Sequence, residues 1–340
     1  RLPWVRLVHA DAAHPQLARL GAGTVTAADL LGDPAVVAAI DDLDHGDDEE
    51  AAALADTVLR LATRVRADDV PPELGALLLP DAEGLLTPAD ELLLPGAPLA
   101  EVLVDDSPFA TVDPNLVDRY GADALRAVGV GWGFTVLRAD LPTGPDHDLP
   151  DEDLWWDTLD TDPETLVAVR DLDLVAEDRW PRALSLLAAD PAVVPALSDR
   201  DGYTAWWLRS YAVLDGQRLG HLRYLDDTVF EGLLDACTHP DAGTLRASLA
   251  TTRIDDLDLA ETLLDRLADP SRHPDAAAVA AAHAALAAAH ASGAVDADSV
   301  TLPDGVRSLA GTVADAADAL VLDTAWQAAV IPPERARRSR

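Results

Sequence analysis

The sequence contains no methionine and no lysine, and it has one cysteine, Cys237, and one asparagine, Asn115. A single thiol excludes a disulfide within the chain and a cysteine cluster that could hold a metal. The absence of lysine excludes a Walker-type phosphate loop, which requires a lysine after its glycines. Because internal methionines are missing together with an initiator methionine, we expect this chain to be part of a longer polypeptide.

Long apolar runs are also missing. None approaches the roughly 18 residues that a transmembrane helix needs. The first residues do not combine a basic region with a short apolar core and a small-residue cleavage site, so they do not resemble a signal peptide. We therefore expect a soluble chain with no membrane partner. A single free thiol is compatible with the reducing cytoplasm, which is the compartment we predict.

Positive charge is scarce, with 25 basic residues against 61 acidic ones and a formal net charge of -36. A surface this negative repels a phosphate backbone, so we expect no nucleic-acid partner. Most of these carboxylates are expected to form a solvated, salt-tolerant surface. The composition fits a GC-rich coding sequence or a high-salt proteome, and neither origin indicates a function.

The length of 340 residues predicts at least two domains. We expect a mixed α/β module over residues 1–140 and a helix-rich module over residues 154–340. The segment 141–153, LPTGPDHDLPDED, combines three prolines with an acidic run and is predicted to be an exposed linker. The expected fold class is α+β and helix-rich, multi-domain, with short mixed sheets and β-hairpins.

Several helices are predicted from caps and periodicity. Thr26 and Asp29 have the spacing of a capping box, and Asp33 stands before a proline at a first helical position. Residues 49–66 carry one apolar stripe, formed by Leu54, Val58, Leu61 and Val65. Further helices are expected over residues 15–20, 114–120, 122–128, 180–197, 230–250 and 275–292. Short strands are expected over residues 4–9 and 134–138.

Turn residues predict three hairpins. In residues 77–99, the strands LGALLLP and ADELLLPG flank the turn DAEG, where Gly84 permits a positive φ. A second hairpin is expected within residues 211–225 around the Asp215-Gly216 pair. A third, within residues 302–326, repeats the order Leu-Pro-Asp, glycine, Ala-Asp and apolar strand of the first. Short hairpins share such punctuation by chance, so the repeat alone does not establish a duplication. The LPDAEG turn is predicted to be a structural hairpin rather than a catalytic loop.

No motif assigns catalytic, cofactor or metal-binding residues. The glycine-rich segment 129–134 follows a predicted helix and precedes a strand, the reverse of a phosphate-binding loop. Cys237 and His239 supply only two metal ligands, and His283 and His290 lie two helical turns apart. The acidic groups at residues 42–50 and 146–148 lack the spacing of a calcium loop.

Two adjacent tryptophan pairs are unusual in a chain with 8 tryptophans and 3 phenylalanines. They are Trp155-Trp156 and Trp206-Trp207. Neighbouring side chains on a helix or strand diverge, so one ring of each pair is expected to pack inward while the other lies at an interface. Core packing of both rings is the alternative. Together with Arg209, which follows closely in YTAWWLRSY, these tryptophans are the predicted partner-binding residues.

Three segments carry a family resemblance: LLLPDAEGLLTPADELLLPGAPLAEVL, LVDRYGADALRAVGVGWGFTVLRADL and DGYTAWWLRSYAVLDGQRL. With the closing LPDGVRSLAGTVADAADALVLDTAW, they resemble the regions downstream of the ATPase module in large actinobacterial proteins that are similar to sacsin and Hsp90. The asparagine-bearing helix and glycine loops of that family's GHKL-type nucleotide pocket have no match here. The resemblance therefore implies no cofactor in this chain, with ATP bound in an upstream domain.

The resemblance implies a non-catalytic portion of a chaperone-type ATPase, whose partners would be protein clients or the upstream ATPase domain. Two alternatives remain open from the residues. One is a metal-dependent hydrolase that uses the acidic loops with His147 or His239. The other is an architectural spacer without a ligand. Bound divalent metal would favour the hydrolase.

Overall fold

The structure is a computed structural model that describes residues 8–12, 14–21, 23–43, 48–66, 69–322, 333 and 336–338. The chain separates into two compact units, Arg1–Thr135 and Val136–Arg340. The predicted fold class, α+β and rich in helix, is confirmed, and every sheet is a short two-stranded pair among the described residues. None of the described helices has the length and apolar character needed to cross a bilayer.

The first unit is built from short helices around small strand pairs. Its helices and strands are α1 Ala27–Leu31, α2 Pro34–Asp41, α3 Asp48–Ala62, β1 Leu78–Pro80, β2 Leu86–Pro88, β3 Leu92–Leu93, β4 Ala110–Thr111, α4 Pro114–Tyr120 and α5 Ala122–Ala127. One apolar core joins α1, α2, α3 and α5 to β1 and β3. Gly121, at φ 84°, separates α4 from α5 as predicted.

Local capping determines where the first helices begin. The Thr26 hydroxyl accepts from the Asp29 backbone N–H and the Asp29 carboxylate accepts from Thr26 N, which confirms the capping box. Asp33 caps α2, also as predicted. Helix α3 ends at Ala62, four residues before the predicted end. Its buried face is richer in alanine than predicted, because Ala51, Ala55, Val58, Leu59 and Ala62 are buried while Leu54 and Leu61 are partly buried.

The first hairpin differs from the prediction in both strands. Strand β1 covers only Leu78–Pro80 of the predicted LGALLLP, because Pro72–Ala76 forms a 3-10 turn. Strand β1 pairs antiparallel with β2, the segment LTP, rather than with ADELLLPG. Residues Ala89–Glu91 form a 3-10 turn. The following β3 pairs parallel with β4. The predicted second strand was wrong because the 3-10 turn after Pro88 redirects the chain before the leucines.

The second unit contains the longer helices. Its elements are β5 Val136–Asp140, α6 Glu152–Trp156, β6 Thr165–Val169, α7 Trp180–Ala189, α8 Val194–Ser198, α9 Tyr203–Tyr211, β7 Val213–Leu214, β8 Gln217–Arg218, α10 Leu257–Ala268, α11 Ala276–Ser292, β9 Gly305–Arg307, β10 Val313–Asp315, β11 Leu320–Leu322 and β12 Ala336–Arg338. Helix α11 ends at Gly293 in the left-handed conformation, as predicted. Most of the predicted strand at residues 4–9 lies outside the described residues.

The predicted linker at residues 141–153 lies inside the second unit. It leads from β5 into α6, and the chain then continues to β6, which pairs antiparallel with β5 over five residues each. Leu149 is 7% exposed and Glu152 is 4% exposed, so part of this segment is packed rather than solvated. Proline and acidic content alone cannot distinguish a linker from a loop anchored by the strands on both sides.

The predicted helix over residues 230–250 is absent, and the segment consists of turns, irregular chain, the bridge residues Ala236 and Ala250, and a 3-10 turn at Arg246–Ser248. Gly232 has φ 79°, and a Cβ there would lie 2.8 Å from Pro274 Cα. This close backbone approach and the interruptions at Pro240 and Gly243 override the helical propensity of the leucines and alanines.

Within the described part of the chain, one structural unit occurs three times, and we call it the hairpin module. It consists of an antiparallel hairpin, a 3-10 turn and a segment that pairs parallel with chain further on. The three copies use the hairpins β1–β2, β7–β8 and β9–β10, followed by 3-10 turns at Ala89–Glu91, Leu219–His221 and Ala316–Asp318. The first and third hairpins share this order of elements, but Leu79 and Pro80 lie within β1 whereas Leu302 to Asp304 precede β9, so the Leu-Pro-Asp part of the sequence repeat is not equivalent in the structure. The second copy was not recognised from sequence.

Candidate interaction cleft

Helix α9 carries three of the five predicted partner-binding residues. Its sequence, YTAWWLRSY, follows Gly202 and buries Tyr203, Trp207, Leu208 and Arg209. Trp206 and Ser210 are one helical turn apart and partly exposed, so they share the face that looks toward solvent. The helix therefore has one core face and one narrow accessible face.

The two tryptophan pairs diverge in burial as predicted. Trp155 is 2% exposed, and its indole Nε1 donates to Asp201 O at 2.9 Å, whereas Trp156 is partly exposed. Trp207 is 5% exposed, whereas Trp206 is partly exposed. The partly exposed ring of each pair is thus the candidate for partner contact, and the buried ring belongs to the core.

A continuous set of aromatic contacts links the two pairs. Tyr203 lies between them, 5.8 Å from Trp155 and 6.2 Å from Trp206, measured between ring centroids. Tyr211 contacts both Trp206 and Trp207, at 6.0 Å and 4.9 Å. Such edge-on and tilted contacts restrict each ring to one orientation. The partly exposed Trp206 ring is therefore held in place by buried neighbours.

Trp206 lies at the wall of an open cleft of about 450 Å³. The cleft is lined by residues from α9, from the loop after α6 and from the segment before α10: Thr158, Leu159, Asp160, Thr161, Asp201, Trp206, Arg209, Ser210, Arg253, Asp255, Asp256 and Ala294. It presents one aromatic ring, hydroxyl groups and charges of both signs. This combination suits a polypeptide surface better than a purely apolar ligand.

A network of arginines and aspartates fixes the cleft's charged wall. Arg253 donates to Asp255 Oδ1 at 2.6 Å and also pairs with Asp201. Arg200 donates to Asp255 Oδ2 at 3.1 Å. The hydrogen bond from Arg253 lowers the pKa of Asp201, and the same bond raises the pKa of Arg253. The side chain of Arg253 is 53% exposed, so it remains accessible to a partner.

Arg209, the predicted basic anchor, is only 5% exposed. Its Nη1 donates to the backbone carbonyls of Arg200 and Ala247 at 3.2 and 3.4 Å. Burial, followed by repulsion from Arg200, lowers the pKa of Arg209 to about 10. Arg209 therefore supports the cleft wall, and Arg253 is the arginine that a partner can reach. Sequence reasoning missed Arg253 because it lies more than forty residues from α9.

Two further cavities, of about 390 and 580 Å³, adjoin the cleft. The first shares Arg209, Ser210 and Asp256 with it, and the second shares Arg218, His221 and Asp258 with the first. Burial lowers the pKa of His221, which keeps its imidazole neutral near pH 7. The 390 Å³ cavity thus shares lining residues with each of the other two, whereas the cleft and the 580 Å³ cavity share none.

The histidines of the hydrolase alternative lie in separate places. The Nδ1 of His147 is 2.7 Å from Glu152 Oε1, and its backbone N–H donates to Glu152 Oε2 at 2.9 Å. The Nε2 of His239 donates to Pro181 O at 2.9 Å, and its Nδ1 accepts from Asp241 N at 3.2 Å. Within the described part of the chain, no group of three or more His, Cys, Asp or Glu side chains is placed to hold a metal ion.

Cys237 and the glycine-rich segment have structural surroundings. Cys237 is buried, and burial raises the pKa of its thiol, which keeps it protonated near pH 7. Gly131, within the glycine-rich segment 129–134, forms a parallel bridge with Leu93. The segment thus connects α5 to β5 and pairs with β3, in agreement with the predicted helix-to-strand turn.

No protein-family model matches this sequence, and neither a curated protein nor a solved structure matches it. The resemblance to sacsin and Hsp90-like proteins therefore stays a prediction from the segments quoted above. The geometry of the cleft is independent of that resemblance.

Proposed function

We propose that this chain is a non-catalytic interaction portion of a sacsin/Hsp90-like chaperone-type ATPase. Its partner, a client protein or the upstream ATPase domain, would contact the cleft beside α9. The observation that carries the proposal is the partly exposed Trp206 ring, oriented by Tyr203 and Tyr211 and accompanied by the accessible Arg253. The sequence resemblance supports the family named in this proposal, and the cleft is the proposed contact surface.

The physical argument rests on what protein interfaces use as anchors. Tryptophan and arginine are enriched among the residues that dominate binding energy, since both offer a large area and directional contacts. An anchor that is already held in one rotamer loses little conformational freedom on binding. Trp206 satisfies this condition because its neighbours restrain the ring, and Arg253 is held by Asp201 and Asp255.

The client-binding role can be tested by suppression of aggregation. The aggregation of reduced insulin would be followed by light scattering in the presence of the wild-type chain, of Trp206→Ala or of Trp132→Ala. Trp132 is a matched control because it is 42% exposed and belongs to the other unit. We expect the wild-type chain and Trp132→Ala to slow aggregation and Trp206→Ala to lose most of that effect. Equal suppression by Trp206→Ala would count against the cleft.

The family assignment has a separate test. Reading the gene upstream of residue 1 should show a GHKL-type ATPase module, with the asparagine-bearing helix and glycine loops that this chain lacks. Purified full-length protein should then hydrolyse ATP, while the 340-residue chain alone should not. An upstream sequence without such a module would remove the family from the proposal and leave the cleft untouched.

The second candidate function is the metal-dependent hydrolase. It is favoured by one observation, the contact between His147 Nδ1 and the buried Glu152, because a carboxylate that holds Nδ1–H leaves Nε2 available as a ligand or base. Elemental analysis after incubation with zinc or manganese and gel filtration tests it. A stoichiometric ion lost in His147→Ala would support this function over the interaction role.

A further inference from the structure

The cleft beside α9 contains more carboxylates than its own arginines neutralise. Four aspartates and two arginines line it. Arg253 pairs with Asp201 and donates to Asp255 at 2.6 Å, so its single positive charge is already balanced. Arg209 is buried, and its Nη1 donates to backbone carbonyls. Neither arginine forms an ion pair with the other two aspartates.

These other two aspartates are Asp160 and Asp256. Asp160 is exposed, and its carboxylate has neither an ion pair nor a hydrogen bond with any residue that the structure describes. Asp256 caps α10 by accepting from Leu259 N at 2.7 Å, and it has no ion pair within the same set of residues. The loop between α6 and β6 adds three exposed carboxylates that also lack an ion pair with a described residue, namely Asp157, Asp162 and Glu164. The cleft and the loop that borders it are therefore negatively charged.

The turn that leads to Asp160 is anchored to the helix beside it. Thr158 N donates to Trp155 O at 2.9 Å, and the Thr158 hydroxyl donates to the same oxygen at 2.6 Å. The Trp155 indole in turn donates to Asp201 O at 2.9 Å, just before the start of α9. Asp160 thus follows a turn that is fastened to the helix carrying Trp206. An arrangement that is held in place before binding loses little conformational freedom when a ligand binds.

Trp206 has no cation over its ring among the described residues. Elsewhere the chain places an arginine over an aromatic ring twice, Arg119 over Tyr120 at 4.9 Å and Arg246 over Tyr224 at 4.8 Å, measured from the guanidinium carbon to the ring centroid. Tryptophan attracts a cation more strongly than tyrosine does, through the negative face of its ring. The cleft therefore combines an unused aromatic face with unneutralised carboxylates.

This combination favours arginine over other side chains. A planar guanidinium can stack on an indole and at the same time donate two hydrogen bonds to a carboxylate, as Arg272 does to Asp235 at 2.6 and 2.8 Å. The ammonium group of lysine is a strongly hydrated point charge and has no plane to stack. The cleft volume of about 450 Å³ is within the range of about 300–1,000 Å³ that is usual for binding sites.

We propose that the cleft binds an arginine side chain of the partner polypeptide, with the guanidinium stacked on Trp206 and hydrogen-bonded to Asp160. The proposal rests on the interaction role proposed above, and it specifies the chemistry of the partner at that surface. Asp256 and the carboxylates of the bordering loop add attraction at longer range. Arg253 does not oppose the incoming cation, because Asp201 and Asp255 balance its charge.

A peptide with one arginine tests the proposal directly. The probe is GSRSG, acetylated and amidated at its ends, added to the full 340-residue chain and followed by two-dimensional NMR. The Trp206 indole signal is identified by its loss in Trp206→Leu. We expect this signal to shift saturably, with a dissociation constant of about 1 mM. A control peptide carries citrulline, which has the shape of arginine without its charge, and should bind about tenfold more weakly or less. Equal affinities of the two peptides would overturn the proposal.

A pair of variants tests the role of Asp160. Asp160→Asn should weaken binding of the arginine peptide about fivefold, as followed by the amide signals of Thr158 and Thr161. Asp226→Asn is the matched control, because Asp226 is exposed, does not line the cleft and removes the same charge. Both aspartates are exposed, so neither change disturbs the core. The same weakening in both variants would show that net charge alone attracts the peptide, and would overturn the proposal.

A lysine peptide, GSKSG, tests the selection of a guanidinium. We expect it to bind about threefold more weakly than the arginine peptide, since it cannot stack and bond bidentately together. Equal binding of the lysine peptide would overturn the selection of arginine. The difference should also persist at higher salt, because screening reduces the attraction of both cations alike.

The insulin aggregation assay separates this inference from the interaction role. If the arginine peptide does not bind while Trp206→Ala loses its effect on aggregation, the cleft contacts partners in another way and only this inference is overturned. If the arginine peptide binds while Trp206→Ala still suppresses aggregation fully, this inference is supported and the client-binding role is removed.

Discussion

Trp206 and Trp207 are neighbours in the chain but have different surroundings. Trp207 is 5% exposed and contacts Trp180 and Tyr211, whereas Trp206 faces the cleft. Trp207→Ala should lower the free energy of unfolding by about 3–5 kcal/mol, since it leaves a large cavity. Trp206→Ala should cost about 1–2 kcal/mol, because its ring is only partly buried. Urea denaturation followed by circular dichroism measures both.

The test lies in the difference between the losses of unfolding free energy caused by Trp207→Ala and by Trp206→Ala. If Trp206→Ala destabilised the chain as strongly as Trp207→Ala, the ring would be part of the core and the cleft would lose its anchor. The Trp132→Ala variant provides the baseline for an exposed tryptophan.

Asp235 connects three segments of the second unit. Its carboxylate accepts from Arg272 at 2.6 and 2.8 Å and from Gln217 at 3.2 Å. The hydrogen bonds from Arg272 are the main cause that lowers the pKa of Asp235 to about 2. A depressed folded-state pKa stabilises the fold above the unfolded value of 3.8, and this stabilisation is lost as the pH falls toward 2.

The corresponding variant is Asp235→Asn. Because the carboxylate is 41% exposed, solvent screening reduces the effect, and we expect the variant to lose about 1 kcal/mol at pH 7. The difference from wild type should shrink between pH 4 and pH 2, as measured by urea denaturation at each pH. A constant difference across that range would show that the charge of Asp235 contributes nothing.

At the scale of the element, Asp81 organises the first hairpin. It is 6% exposed, and its Oδ1 accepts from the backbone N–H groups of Glu83 and Leu85 at 2.9 and 2.8 Å. Asp81→Ala leaves these donors without their acceptor and should lower the free energy of unfolding by about 1–3 kcal/mol. Asp81→Asn keeps one oxygen acceptor and should lose less. Thermal denaturation distinguishes the two variants.

If Asp81→Ala and Asp81→Asn were both as stable as the wild type, the turn would be held by its strands alone. In that case the Asp81 carboxylate would have no structural role.

Short turns were predictable because the residues of the turn themselves determine its backbone conformation. Asp215 and Gly216 have φ values of 53° and 76°, the pattern of the tight two-residue turn that this dipeptide favours. By contrast, the segment after Pro88 was misassigned, because the choice between a strand and a 3-10 turn depends on the parallel pairing of β3 with β4. Parallel partners lie far apart in sequence and leave no local signal.

At the scale of the whole molecule, the position of the unit boundary can be tested by truncation. A fragment of residues 136–340 retains β5 with its partner β6, whereas a fragment of residues 154–340 removes β5 and Glu152. We expect the first fragment to unfold cooperatively and the second to lose cooperativity, as measured by thermal denaturation and circular dichroism. Equal behaviour of the two fragments would restore the linker interpretation of residues 141–153.

The net charge of -36 predicts a dependence of stability on salt. Repulsion among carboxylates opposes the compact state, and salt screens it. We expect the melting temperature to rise by about 2–4 °C, equivalent to about 1 kcal/mol, between 0.05 and 1 M sodium chloride. Sucrose at matched osmolality is the control. A melting temperature that was constant or fell in salt would show that the charges are already balanced by local pairs.

The sequence by itself determined the fold class, the helix caps, the tight turns and the division of each tryptophan pair into a buried and an accessible ring. These features depend on neighbours within about four residues, where periodicity and side-chain chemistry are decisive. The tertiary structure alone decided that Arg253 and Asp255 join Trp206 and that Arg209 is buried. Each of these depends on contacts between distant segments, which packing brings together and no local pattern encodes.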